Sequence, residues 1–187
     1  MALAHKHDMN FWRLLAPMAH GWAIAAAGGT EADWDEVRRG VAGCREQGIT
    51  IFVRSFEVQL AATKARAGHL DAALAMLDGV LAEAEQTKAR AFVADGHRIR
   101  GEILLKHDPV HGEPAEEAFL TAIAIAQQQK ARSFELRAAL ALAKFYQSSG
   151  RAADAHAVLA PALEGFAPTL EFPEIEEAQA LVSALPL

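Results

Sequence analysis

Apolar residues recur at intervals of three and four along most of this chain, and no stretch alternates apolar with polar in the rhythm of a strand. The spacing predicts helices over 9–27, 31–47, 50–67, 70–88, 90–107, 114–130, 132–149 and 151–164, with a terminal helix over 173–185. The segment "LAKFYQSSGRAADAHAVLAPAL" shows how two of them pair. Ala143 and Tyr146 stand on a first helix, Gly150 marks a turn, and Ala155, Leu159 and Ala162 follow on a second.

That second-helix pattern recurs upstream. Ala115, Phe119 and Ala122 carry it, as do Ala73, Leu77 and Val80, and Asp33, Val37 and Gly40 carry a weaker copy. The first landmarks, at 33, 73, 115 and 155, are separated by steps of 40, 42 and 40. A small residue on each first helix, at Gly21, Ala61, Gly101 and Ala143, keeps steps of 40, 40 and 42. Two independent series with nearly one step define a repeat. A small side chain there lets the two helices approach where a larger one would overpack, at about 1–3 kcal/mol. Gly28, Gly68 and Gly150 fall where first helices end, as left-handed C-caps do. The third copy lacks that glycine and has the longer turn "KHDPVHGEP", with Pro114 placed to open the next helix.

The junctions between hairpins also share a form: "CREQGITIFV", "AEQTKARAFV", "AQQQKARSFE". The opening "ALAHKHDMNFW" fits it, with Phe11 matching Phe52, Phe92 and Phe134. Residues 2–7 are therefore expected to be the tail of a second helix from a longer or ancestral solenoid, and an uncapped solenoid end is expected to self-associate. The expectation for the whole chain, 1–187, is one all-α domain, a right-handed α-α superhelix. It has hairpins over about 9–49, 50–89, 90–131 and 132–165 and a capping helix over 173–185.

Composition narrows the function classes. A net charge of −6 and a sequence pI near 5.7 argue against a nucleic-acid surface, and the 18 Lys and Arg form no basic run. The most apolar run, "LLAPMAHGWAIAAA", is too short to span a bilayer and is broken by Pro17 and His20. It also lacks the leader and cleavage site of a signal peptide. The single cysteine, Cys44, excludes an internal disulfide and fits a reducing, cytoplasmic setting.

Candidate chemistry is sparse. His107, Asp108, His111 and Glu113 cluster in one turn, but a proline between the histidines keeps them off a shared helix face. A polar surface turn is the simpler reading; further histidines stand at His5 and His7. Cys44 has no placeable histidine partner and reads as a buried thiol. Ser55, Ser133, Ser148 and Ser149 lack a nucleophile elbow. With no phosphate loop and no convergent acid–base set, the expectation is a protein that is not an enzyme and takes no metal or cofactor.

The small residue, tyrosine, glycine and Ala-x-x-x-Leu-x-x-Ala of residues 143–162 resemble a tetratricopeptide (TPR) repeat, with a period of about 40 in place of 34. The segments "FW…GWAIAAAG", "HRIRGEILL", "ARSFELRAALALAKFYQSSGRAADAHAVLAPAL" and "EIEEAQALVSAL" are similar to the C-terminal repeats of bacterial signalling proteins that carry a class III nucleotide cyclase or a regulatory NTPase module. The resemblance implies a cytoplasmic interaction or sensory module whose first helices line a concave groove. On this numbering the groove comprises Met18, Trp22, Ser55 and Arg66, then Asp95, Arg98, Glu102, Lys106, Arg137 and Lys144. Its partner would be a protein or peptide, an acidic segment or chain terminus being one fit for arginine forks. Equally, Arg98, Glu102, Glu135 and Arg137 would pair among themselves. The Lys/Asn clamp for a terminal carboxylate is not matched.

Trp12, Trp22 and Trp34 all fall in the first hairpin and are expected in its core, with Trp34, flanked by Asp33, Asp35 and Glu36, the best exception. Binding of a peptide or domain in the groove is the leading functional expectation. A small-molecule sensor regulating an attached domain and a self-assembly module are the alternatives.

Overall fold

The computed structural model describes residues 10–27, 31–49, 53–167 and 172–185, and every regular element among them is helical. The helices are α1 (Asn10–Ala26), α2 (Glu31–Glu46), α3 (Val53–Arg66), α4 (Leu70–Thr87), α5 (Val93–His107), α6 (Glu113–Gln129), α7 (Arg132–Ser148), α8 (Ala152–Leu163) and α9 (Pro173–Ala184). The all-α expectation holds, and most helix ends fall within a residue or two of those read from the spacing. Residues 2–7, His5, His7, Gly28 and Phe52 lie outside the described residues.

The chain divides into two compact units, 1–92 and 93–187. In unit 1, α1 packs on α2 and α3 on α4, with α3 also touching α1 and α2. In unit 2, α5 packs on α6 and α7 on α8; α7 touches α5 and α6, and α9 lies on α7 and α8. Among the described residues no close backbone contact joins α1 to α4 or α5 to α8.

Gly21, Ala61, Gly101 and Ala143 are buried on the first helices, and Val37, Leu77, Phe119 and Leu159 are buried on the second. Full burial of each large aliphatic or aromatic landmark contributes about 1.5–3 kcal/mol. The close approach is most explicit at Gly101, where a Cβ would lie 2.6 Å from the Phe119 ring. Gly40 plays the reciprocal part in the first hairpin, its missing side chain leaving room for Met18, 2.7 Å from where a Cβ would be.

The shared junctions have a shared backbone. Gly48, Lys88 and Lys130 occupy the same place in the three quoted junctions, and all three have positive φ, at 71°, 55° and 55°. The following amide closes the same six-residue ring each time: Ile49 to the Cys44 carbonyl at 2.8 Å, Ala89 to Ala84 at 3.1 Å and Ala131 to Ala126 at 2.9 Å. This Schellman geometry satisfies the last carbonyls of α2, α4 and α6. Gly68 and Gly150, with φ of 94° and 75°, end α3 and α7 as expected.

The start of α5 departs from expectation. The helix expected from residue 90 begins only at Val93, because Phe92 has φ of 64° and cannot belong to a right-handed helix. Its sequence counterpart Phe134 lies inside α7, so the matching positions differ in backbone conformation.

Candidate functional site

The ten groove positions have unlike fates. In unit 1, Met18 is fully buried against Gly40 and presents no surface. Trp22 is half-buried, its ring edge-to-face with Phe56 at 6.4 Å and 81°. Ser55 is half-buried on α3, and Arg66 is exposed and donates to Thr63 Oγ1 at 3.0 Å. Trp34, which its acidic neighbours made the best exposed candidate, is 4% exposed. His69 packs edge-on to its ring at 5.4 Å and Lys64 Nζ lies 4.3 Å from the ring centre, so the ring is covered. Trp12 is the exposed one, at 52%.

Two cations of unit 1, Arg45 and Arg54, share one network. Arg45 on α2 bonds Glu57 of α3 at 3.1 Å and Glu83 of α4 at 2.7 Å. Arg54 reaches Glu83 at 3.2 Å and Thr87 Oγ1 at 2.8 Å. Burial pushes the Glu57 carboxyl up despite Arg45, whereas the Arg45 hydrogen bond holds Glu83 below the ordinary carboxylate range.

Unit 2 brings its positions together. Arg98 and Glu102 of α5 and Arg137 and Lys144 of α7 line one cleft of about 480 Å³. Its floor is apolar: Leu105 of α5, Phe119 of α6, and Leu140, Ala141 and Phe145 of α7. Glu177 of α9 completes the rim. Asp95, 4% exposed, is held beneath it by Arg98, whose Nε donates at 2.9 Å. Lys106 is exposed in the last turn of α5 and does not line the cleft.

Much of the rim pairs internally. Arg98 also donates to Glu102 at 2.5 Å, and Lys144 pairs with Glu177 at 2.7 Å. Burial lowers the Arg98 pKa, but Asp95 and Glu102 outweigh it and the net shift is upward, so this guanidinium stays charged. Glu135, expected among these partners, belongs elsewhere: it accepts from Arg132 at 2.7 Å and Gln127 at 3.0 Å.

The floor and Glu177 were not singled out in the sequence. A signal for the floor was present, since Arg137, Ala141, Lys144 and Ser148 form a stripe of four, three and four along α7. Glu177 had none, because it reaches the cleft only through the packing of α9.

Elsewhere, the Asp108–His111 turn is exposed, with His111 Nδ1 and Asp108 Oδ2 2.8 Å apart. That contact raises the His111 pKa and lowers that of Asp108. No three His, Cys, Asp or Glu side chains among the described residues are grouped to hold a metal ion. Cys44 is buried. Among the described residues, no helix is long and apolar enough to cross a membrane.

Fold and site together define an all-α chain with a charged-rimmed, apolar-floored cleft in its second unit. No protein-family model, curated protein or solved structure matches it.

Proposed function

We propose that this chain is a TPR-like interaction module: hairpins stack side by side, and unit 2 binds a partner's peptide segment in its cleft. The observation that carries the reading is the convergence of Arg98, Glu102, Arg137 and Lys144 over the apolar floor. An apolar floor supplies affinity by removing surface from water, and a polar rim supplies register. Pairing of successive first helices, α1 with α3 and α5 with α7, supports the stacked arrangement within each unit. The module is read as non-enzymatic and as part of a cytoplasmic bacterial signalling system.

The test is selection of displayed random peptides on the immobilised full chain, repeated with Ala141→Trp, which fills the floor. Wild type should enrich a family of related sequences, and A141W should lose them by tenfold or more. Equal selection by the two chains rules the cleft out.

A second reading, self-association through α1, draws on the exposure of Trp12 and Ile24 on that helix. Sedimentation should then depend on concentration, and Trp12→Ser should weaken the dependence. A monomer at all concentrations removes this reading.

A further inference from the structure

We propose that the cleft selects an internal peptide motif in which an Asp or Glu stands two or four residues from a bulky aliphatic or aromatic side chain, with Arg137 holding the carboxylate; this rests on the peptide-binding reading above. Arg137 is the rim cation with no carboxylate within hydrogen-bond distance. Its Nε donates to the Ser133 carbonyl at 3.3 Å, and its guanidinium lies 4.7 Å from the Phe134 ring centre. The nearest carboxylate oxygen, on Asp95, is 3.9 Å from Nη1, beyond hydrogen-bond reach. Neither Nη donates a hydrogen bond to a described group, and the side chain is 34% exposed at the cleft.

The other charges are committed. Asp95 is taken by Arg98, Glu102 by Arg98, and Glu177 by Lys144. An incoming carboxylate therefore meets a planar fork with both Nη groups open, backed by an aromatic face that fixes its plane. The nearest acidic neighbour, Asp95, is hydrogen-bonded by Arg98, which it shares with Glu102.

Spacing sets the rest of the motif. The Arg137 guanidinium folds back along α7 toward Ser133 and Phe134, so the floor at Ala141, about 6 Å beyond the Arg137 backbone at 1.5 Å per residue, lies farther than that from the fork. In an extended peptide, side chains on one face are two residues and about 7 Å apart. A carboxylate on Arg137 thus delivers a side chain on the same face, two or four positions away, onto the floor formed by Leu105, Ala141 and Phe145. A terminal carboxylate is not required.

Sequencing the peptides selected by the full chain tests this, with each insert internal to the display protein so that carboxylates come only from side chains. Wild type should enrich Asp or Glu two or four positions from Leu, Ile, Phe or Met. Arg137→Gln should lose the acidic preference, keep the apolar one and bind the wild-type motif about tenfold more weakly. Arg137→Lys, charged but without the fork, should fall between. Melting curves of both variants must show that they fold. An acidic preference that persists on R137Q, or is missing on wild type, overturns this motif and leaves the cleft reading standing. Selection unaffected by A141W overturns the cleft reading itself, and a wild-type chain that selects nothing overturns both.

Discussion

The two units are built from matching hairpins but finish the same face differently. The step of 80 from Gly21 to Gly101 carries Met18 onto Arg98 and Trp22 onto Glu102. The step of 82 from Ala61 to Ala143 carries Ser55 onto Arg137 and Ala62 onto Lys144. In unit 1 these positions hold a buried methionine and a tryptophan set edge-on to Phe56, while Arg45 and Arg54 bond Glu83. In unit 2 they hold charges that rim an open cleft. The small packing residues are shared and the face is not. Packing therefore fixes the scaffold, and side chains beside the small residues decide whether this face is filled by packed rings or rimmed by charge.

The largest effect is expected where the hairpins differ in volume. Unit 1 pairs Ala61 with Leu77 in the repeat pattern, whereas unit 2 pairs Gly101 with the larger Phe119. Gly101→Ala should destabilise unit 2 by about 1–3 kcal/mol, although alanine is the better helix former. Adding Phe119→Leu should recover much of that loss, giving a coupling energy of about 1 kcal/mol or more. Trp12, Trp22 and Trp34 belong to unit 1 and the single tyrosine, Tyr146, to unit 2, so tryptophan fluorescence and tyrosine absorbance report different units during urea unfolding. A G101A chain with an unchanged tyrosine transition would show that the close contact with Phe119 carries no energy.

Next comes a network of unit 2. Tyr146 of α7 donates to Glu116 of α6 at 2.7 Å, and Arg151, at the start of α8, bonds the other oxygen of Glu116 at 2.8 Å. Burial and the Glu116 hydrogen bond push the Tyr146 pKa up to about 12. A raised phenol pKa favours the neutral form, so its stabilisation is complete below about 10 and is lost as pH rises from 10 toward 12. Glu116 has the opposite sign: the Arg151 hydrogen bond holds its pKa down, so its stabilisation is present above about 4.5 and is lost as pH falls below that. Tyr146→Phe should cost about 1 kcal/mol and abolish the alkaline loss. Absorbance titration of wild type should show phenol ionisation near 12; a midpoint near 10 refutes the bond.

The sequence carried the helices, because apolar spacing at three and four is imposed by burial of one face, and that burial is what the cores show. It carried Gly68 and Gly150 because glycine advertises positive φ. It was silent about Lys88 and Lys130, which adopt the same geometry with no chemical marker, and about Phe92, whose left-handed backbone delays α5. For the site, residue type located the charges but not their partners. Arg98 and Arg137 look alike in sequence, and only the packing of Asp95 and Glu102 beside Arg98 leaves Arg137 with open donors. Trp34 misled because its neighbours in sequence are polar while its neighbours in space, Lys64 and His69, cover the ring.

The smallest effects test the backbone that both units share. Gly79, exposed in α4 of unit 1, would meet nothing within 4 Å on gaining a Cβ. Gly79→Ala should therefore stabilise by up to about 1 kcal/mol, the reverse of Gly101→Ala in unit 2. The junction position offers a finer pair. Gly48 in unit 1 and Lys130 in unit 2 hold the same positive φ, which costs a lysine about 1 kcal/mol or more relative to glycine. Glycine gives back about 0.4–1 kcal/mol through the greater freedom of the unfolded chain. The balance leaves Lys130→Gly stabilising by a few tenths of a kcal/mol and Gly48→Lys destabilising by a similar amount, both read from urea midpoints at constant slope. Equal and opposite shifts mean that the two junctions are energetically one device. If only one responds, the shared hydrogen-bond ring conceals different strain in the two units.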